Sequence, residues 1–411
     1  MNNRGVALIL SFMVILVLTI VGTALIMRSV SENNNSQVYL GTHKAFWLAE
    51  AGLANAVWAL KNNSTGCYQC ANPAVNCTSN SCGGASSKCL SRTLTGGDFD
   101  VIINASLITA TGSYPARTDS VRKTRQLTLA YSANSNFDFA VFAKNKVVLL
   151  NNALVDSYNS GSGLYGGSNI HWSGNVGTNS NAVADITLGN NAVVRGSAST
   201  GSGGTISLDN NALISGTVSH NNNRPLASVT VPETLTTLSN LGTMTVPNYT
   251  SVTLNGGDYK YTSITMANNG TLTINGTVNL YLTSTSSAID FNNNCNIVIS
   301  PGAQLVLYVD GVLDVKNNSC FNNGTKLPAN LQVYSTYSGS NGVNINNNGN
   351  FYGAVYAPDT DIILANNVAC YGSFVGKSVD LSNNADIHYD EALSQVAAEN
   401  AGYTFSDWQD P

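Results

Sequence analysis

The chain has 411 residues, a net charge of −5 and only 10% charged residues, against about 25% in an average globular chain. Its 56 asparagines, with many serines and threonines, supply the missing polarity. The length exceeds what one small core needs, and the absence of any Lys/Arg run leaves no footprint for a phosphate backbone, so nucleic acid is excluded as an expected partner.

From Val6 to Met27 run 22 residues with no charge and no proline, bracketed by Arg4 and Arg28. As a helix this segment spans about 33 Å, enough for a bilayer core. The helical pattern continues: Phe46, Leu53, Val57 and Leu60 form an apolar stripe, flanked by small Ala45, Ala49, Gly52, Ala56 and Ala59 at spacings of three and four. One helix of about 55 residues is expected.

The short basic leader MNNRG, ending in Gly5 just before the apolar run, and the continuation AFWLAEAGLANAVWAL resemble the N-terminal part of type IV pilin-like proteins, specifically minor pilins of the PilX type. The resemblance covers roughly residues 1–60. It implies cleavage by a prepilin peptidase between Gly5 and Val6, residence in the inner membrane before assembly, and other pilin-like subunits as partners. Most pilins carry a glutamate five residues into the mature chain, and here that position is Leu10. A subunit without that carboxylate cannot neutralise a neighbour's terminal amine in an apolar core, which suggests a tip or initiating place. The same absence is also accounted for if members of this type simply vary at the position.

Cys67, Cys70, Cys77, Cys82 and Cys89 fall within 23 residues. Outside the cytoplasm such density suggests disulfides closing a small loop-rich segment; a metal knuckle is disfavoured, because no second CxxC and no histidine accompany Cys67 and Cys70. Five is odd, so one of them pairs with Cys295, Cys320 or Cys370, or stays free. Beyond the cluster, Asp98 to Ala110 and Arg122 to Tyr131 alternate like strands of a small head. Arg117, Arg122, Lys123 and Arg125 suggest a solvated hairpin face.

From about residue 137 a motif recurs: alternating apolar residues, then Asn-Asn, then small or apolar residues. Examples are VVLLNNALV, ITLGNNAVV, ISLDNNALI, IDFNNNCNI, IILANNVAC and VDLSNNADI. A unit near 20 residues signals a solenoid. Tyr352 and Tyr371, and Gly353 and Gly372, recur 19 residues apart. The expected fold is mainly β: a parallel β-helix of about 10–12 coils with Asn at the corners, where a left-handed backbone is tolerated and amides stack. Residues 221–261, with Pro225, Pro232 and Pro247, break the period and suggest a loop excursion. The segment from His388 suggests a short capping helix. This body resembles an uncharacterised bacterial β-solenoid domain fused to PilX-like N-termini, a resemblance that implies an architecture and no activity. The expected divisions are a leader 1–5, a helix 6–62, a Cys-rich head 63–134, a solenoid 135–390 and a cap and tail 391–411.

Catalytic signals are weak. Gly161, Gly163 and Gly166 satisfy GxGxxG, but the residues that follow suit a flexible loop, not the helix a dinucleotide needs. Asp310 with Asp314, and Asp359 with Asp361, suggest turn carboxylates; a polysaccharide-cleaving site would need a basic partner, and Arg195 and Arg224 are the solenoid's only arginines. His43, His171, His220 and His388 are scattered. Tyr352, Tyr356, Tyr371, Phe374 and Tyr389 suggest either a core ladder or a row for stacking on surface glycans. The expectation is a non-enzymatic surface protein with no cofactor or metal, anchored in the inner membrane and then held in a periplasmic or surface filament of a pilus or secretion system. It would act in adhesion or filament initiation. The alternatives are a membrane-anchored polysaccharide-degrading enzyme and a self-associating scaffold.

Overall fold

The long apolar run forms helix α1, Asn3–Lys61, in a computed structural model that describes residues 3–61, 88–94, 96–103, 107–116, 118–133, 135–396, 403–406 and 409. The chain divides into two units, Met1–Ala133 with Gly402–Pro411, and Asn134–Ala401.

In the first unit α1 has two unlike halves. Between Leu8 and Met27 its large apolar side chains are exposed, and the segment is long and apolar enough to cross a membrane. From Ala45 to Leu60 it packs on an antiparallel meander of β1 (Lys88–Leu94), β2 (Gly97–Ile103), β3 (Leu107–Tyr114) and β4 (Lys123–Ala133). Ala49, Leu53, Ala56 and Leu60 share a core with Phe99, Val101, Ile108, Ala110 and Leu127. Small residues on this face let helix and sheet approach closely: a Cβ on Gly112 would lie 2.0 Å from the Ala45 carbonyl oxygen. The tail returns to this sheet, with Tyr403–Phe405 pairing antiparallel to β4.

The second unit is a three-sided parallel β-solenoid, with each corner motif setting where the chain turns. Asn151, Asn152, Asn317, Asn318, Asn347, Asn348, Asn366, Asn367, Asn383 and Asn384 all have φ between 51° and 66°, the left-handed region that Asn enters more easily than other non-glycine residues. Their side chains form ladders: Asn211 donates to Asn191, Asn191 to Asn152, Asn152 to Asn384 and Asn384 to Asn367.

The strand registers give ten stacked coils, but not in chain order. Numbered along the stack, coils 1 to 6 lie wholly within residues 243–376. Coil 7 is shared between distant segments: residues 379–390 make two sides and residues 141–143 the third, since Phe374 pairs with Val141 and Val379 with Val147. Coils 8 to 10 follow from 147 to 222. The chain thus enters the rod in its interior, winds to one end, crosses back to the other and returns to close on its own first strand.

The excursion expected over 221–261 is the crossing, and it is shorter than expected. Residues 243–261 belong to coil 1, which leaves residues 223–242 as a strap. Ten rungs about 4.8 Å apart span roughly 43 Å, and 20 extended residues reach roughly 66 Å, so the strap is long enough. Its Arg224 bonds Asp138 and the Ser135 carbonyl. Further along, Tyr356 donates to the Ala227 carbonyl, and Leu241 N–H bonds the Lys260 carbonyl in coil 1. The helical segment expected after His388 is a 3-10 turn, Glu391–Gln395. Because the C-terminal coil lies inside the stack, the turn lies beside coils 7 and 8 and not over an end: Glu391 accepts from Ser157, and the Leu393 carbonyl accepts from Ser135.

Candidate functional site

The closure at coil 7 builds a column of polar and aromatic side chains on one face. The residue four places after the second corner Asn reads, along the stack, Asn322, Tyr352, Tyr371, His388, Asp156 and Arg195. The registers pair Tyr352 with Tyr371, Tyr371 with His388 and His388 with Asp156. The Tyr352 and Tyr371 rings stack in parallel 4.5 Å apart, and Tyr371 tilts over His388 at 4.9 Å.

Fully buried Asp156 is the column's charged centre. It accepts from His388 Nδ1 at 2.6 Å, from the Tyr165 hydroxyl at 2.8 Å and from Arg195 at 3.4 Å. Three donors compensate a carboxylate that would otherwise be expensive to bury. Tyr165 also stacks on His388, with ring centroids 3.8 Å apart. Burial and its bond to Asp156 push the Tyr165 phenol up. Tyr352 and Tyr371 are likewise raised, chiefly by burial. His388, bonded to Asp156 and covered by two tyrosine rings, is placed to lock coil 7 to coil 8.

The loop with Gly161, Gly163 and Gly166 supplies Tyr165, and it is tied down: Asn169 donates to the carbonyls of Asn159, Gly163 and Leu164. The expected flexible loop is therefore a pinned one. His171 lies 3.2 Å from Glu391, and His220 bonds Thr200 in coil 9. His43 belongs to α1 in the other unit, where it bonds Trp47. Among the described residues no cluster of three or more His, Cys, Asp or Glu is grouped to hold a metal.

The expected aromatic row divides. Tyr356, Phe374 and Tyr389 are core residues, while Tyr352 and Tyr371 belong to the half-buried column. The carboxylate pairs divide as well. Asp359 faces Lys144 at 3.5 Å, Asp314 faces Lys316 at 2.8 Å, and Asp310 accepts from Tyr281 and Thr336. Asp310 lines a cavity of about 530 Å³ with Tyr281, Thr336, Tyr337 and the strap residues Val231 and Thr236.

Cys295, Cys320 and Cys370 are buried free thiols. Burial pushes Cys320 up to about 12 and Cys370 well above the ordinary thiol value. Cys295 and Cys370 are sealed in the solenoid core, and Cys320, outside that core, is 7% exposed. Cys67, Cys70, Cys77, Cys82 and Arg117 lie outside the described residues, as do the Cys89 side chain and the surroundings of the Gly5–Val6 cleavage motif.

Asp156 and Tyr165 are not among the residues that the sequence pattern singles out. The signal was present, because NNALVDSY and NNADIHYD place Asp156 and His388 at one offset from their Asn pairs. What hid it was the 232-residue separation.

Residues 210–396 match a family model described as "Domain of unknown function (DUF7305)". No curated protein matches the chain. Among solved structures the chain is similar to the competence-associated pilin ComZ from Thermus thermophilus, at 10% identity over 90% of this chain and 97% of that one, with a TM-score of 0.23. A score that low carries no argument about this chain.

Proposed function

We propose that the chain is a non-enzymatic minor pilin-like subunit of a type IV pilus or a related secretion pseudopilus, which displays its solenoid outward for adhesion or filament initiation. The observation that carries this reading is the division of α1. Its first half presents large apolar side chains that nothing covers, and its second half is packed on a sheet. An apolar helix projecting from a folded head suits a membrane first and then a bundle of like helices, since both hide the same surface. The leader ending in Gly5 supports processing by a prepilin peptidase before Val6. Mass spectrometry of the mature N-terminus tests this: the expected chain begins at Val6, and one still beginning at Met1 would undo the reading. Immunogold labelling separates a tip from a shaft position, with even labelling along shafts counting against the tip role suggested by Leu10.

For adhesion, the cavity beside the strap offers tyrosine rings, threonine hydroxyls and one carboxylate, the groups that surface glycans engage by stacking and hydrogen bonding. Binding of the full chain to a glycan array, lost in Tyr337→Ala, is the expected result. Retention of the same binding in that variant would remove the cavity from the proposal. The Cys67 to Cys89 cluster is proposed to be held by disulfides among its own members, with one thiol left over, which peptide mapping without reduction would show.

A further inference from the structure

The two ends of the solenoid are unlike. At coil 1 the inward side chains Met244, Val246 and Leu254 are 6%, 0% and 5% exposed. There the strap's short helix α2, Glu233–Thr236, packs against the strands Ser251–Tyr261 and Thr271–Leu282, and Leu235 is buried. At coil 10 the inward side chains Leu208 and Val218 are 51% and 50% exposed. Their register partners one coil inward, Leu188 and Ala198, are fully buried. The end strands pair on one side only at both ends, Ile206–Leu208 and Leu213–Ile214 at coil 10 and Thr243–Val246 and Ser251–Tyr261 at coil 1, so the ends differ in the cover over their inward side chains.

Natural edge strands are usually blunted by charge or proline. Residues 205–223 contain no proline, and Asp209 is their one formally charged residue. An apolar, nearly uncharged end of this kind is suited to being covered.

We propose that coil 10 of one chain caps coil 10 of a second copy, forming a closed two-fold pair. Coil-on-coil recognition between segments far apart in sequence is already part of this fold: residues 141–149 dock on 374–381 through strand pairing and an Asn ladder. Coil 10 ends the same stack, with Asn211 at its left-handed corner bonded to Asn191 one coil inward. Head-to-tail stacking is disfavoured, because coil 1 is sealed and carries Tyr249 at the left-handed corner where the other coils carry Asn. A two-fold axis across the rod instead sets the end strands of the two copies antiparallel, which any strand edge accepts. The end is small, so the pairing is weak and concentration-dependent. It stands apart from the pilin reading, because it uses neither α1 nor the head.

Oxidative cross-linking of the full chain in detergent tests the proposal. Leu208 points toward the rod axis, so Leu208→Cys is expected to yield a dimer linked through residue 208, identified by peptide mapping without reduction, and Asp258→Cys at the sealed end to yield none linked through residue 258. Adding Val218→Lys should lower the linked fraction at least tenfold with the circular dichroism spectrum unchanged. Association driven by α1 would be untouched by Val218→Lys and would not depend on which end of the rod carries the introduced thiol. An unlinked Leu208→Cys thiol that reacts freely with maleimide would overturn the proposal. So would one that is unlinked yet shielded, since another segment would then occupy the end, and so would equal linking of Leu208→Cys and Asp258→Cys.

Discussion

The corner asparagines and the buried column show two ways in which single residues hold this fold. At the corners, Asn accepts a left-handed backbone and bonds its counterpart one coil away, whereas a stacked charge at each corner would repel the next. In the column a charge is tolerated because Asp156 has three donors. Asp156→Ala should destabilise the solenoid by about 3–5 kcal/mol, since it leaves Arg195 and the His388 and Tyr165 donors without their acceptor. Thermal melts of the full chain would reveal it, and an unchanged melting temperature would show that the column contributes little. The buried thiols and phenols set a pH limit. Their folded values are raised above those of the unfolded chain, so the unfolded chain loses these protons first as pH rises. Their contribution to stability is then constant below the ordinary thiol value of 9.0 and falls toward the folded value of about 12 for Cys320, by about 1.4 kcal/mol per pH unit for a fully buried group. Denaturation midpoints should be lower at about pH 10.5 than at about pH 8, and an equal or higher midpoint would contradict this sign. Cys295, Cys320 and Cys370 should resist alkylation in the native chain and react once it is denatured.

Among the elements, α1 was the most legible in sequence, because a charge-free run followed by a small-residue stripe admits few alternatives. The observed Asn3–Lys61 helix extends the expected one by a few residues. What the stripe packs on was less legible, since the depth of contact depends on Gly112 in β3, a residue with no helical pattern to mark it. Gly112→Val should force helix and sheet apart and cost about 1–3 kcal/mol or more through overpacking. Protease sensitivity of the head would report the loss, and wild-type resistance in this variant would show that the sheet shifts at little cost. The solenoid strands were legible from their period of two. The strap was visible only as a break, because a segment crossing the coils follows no coil period.

For the whole molecule, the shared coil makes the rod depend on both of its distant segments. Truncation after Gly376 would remove two sides of coil 7, leaving coils 1 to 6 joined to coils 8 to 10 through paired strands on the third side alone, where 374–376 pair with 141–143 and these with 176–178. Such a chain should lose cooperative unfolding and be cleaved in the strap by limited proteolysis. A single sharp transition with an intact strap would show that the remaining contacts suffice.

The low charge that marks the composition follows from the two environments of the chain, an apolar helix and a stack of uncharged corners. The sequence by itself determined the helix, the repeat, the corner chemistry and the coil number, because each rests on local periodicity and backbone preference. Only the tertiary structure decided the order of the coils, the meeting of Asp156 with His388, the burial of the three solenoid cysteines and which end of the rod is open. Parallel coils of one repeat present nearly the same edges, so local pattern cannot state which coil stacks on which. That choice is made by a strap long enough to cross the rod and by the side chains that meet at the closure, chiefly His388 and Asp156.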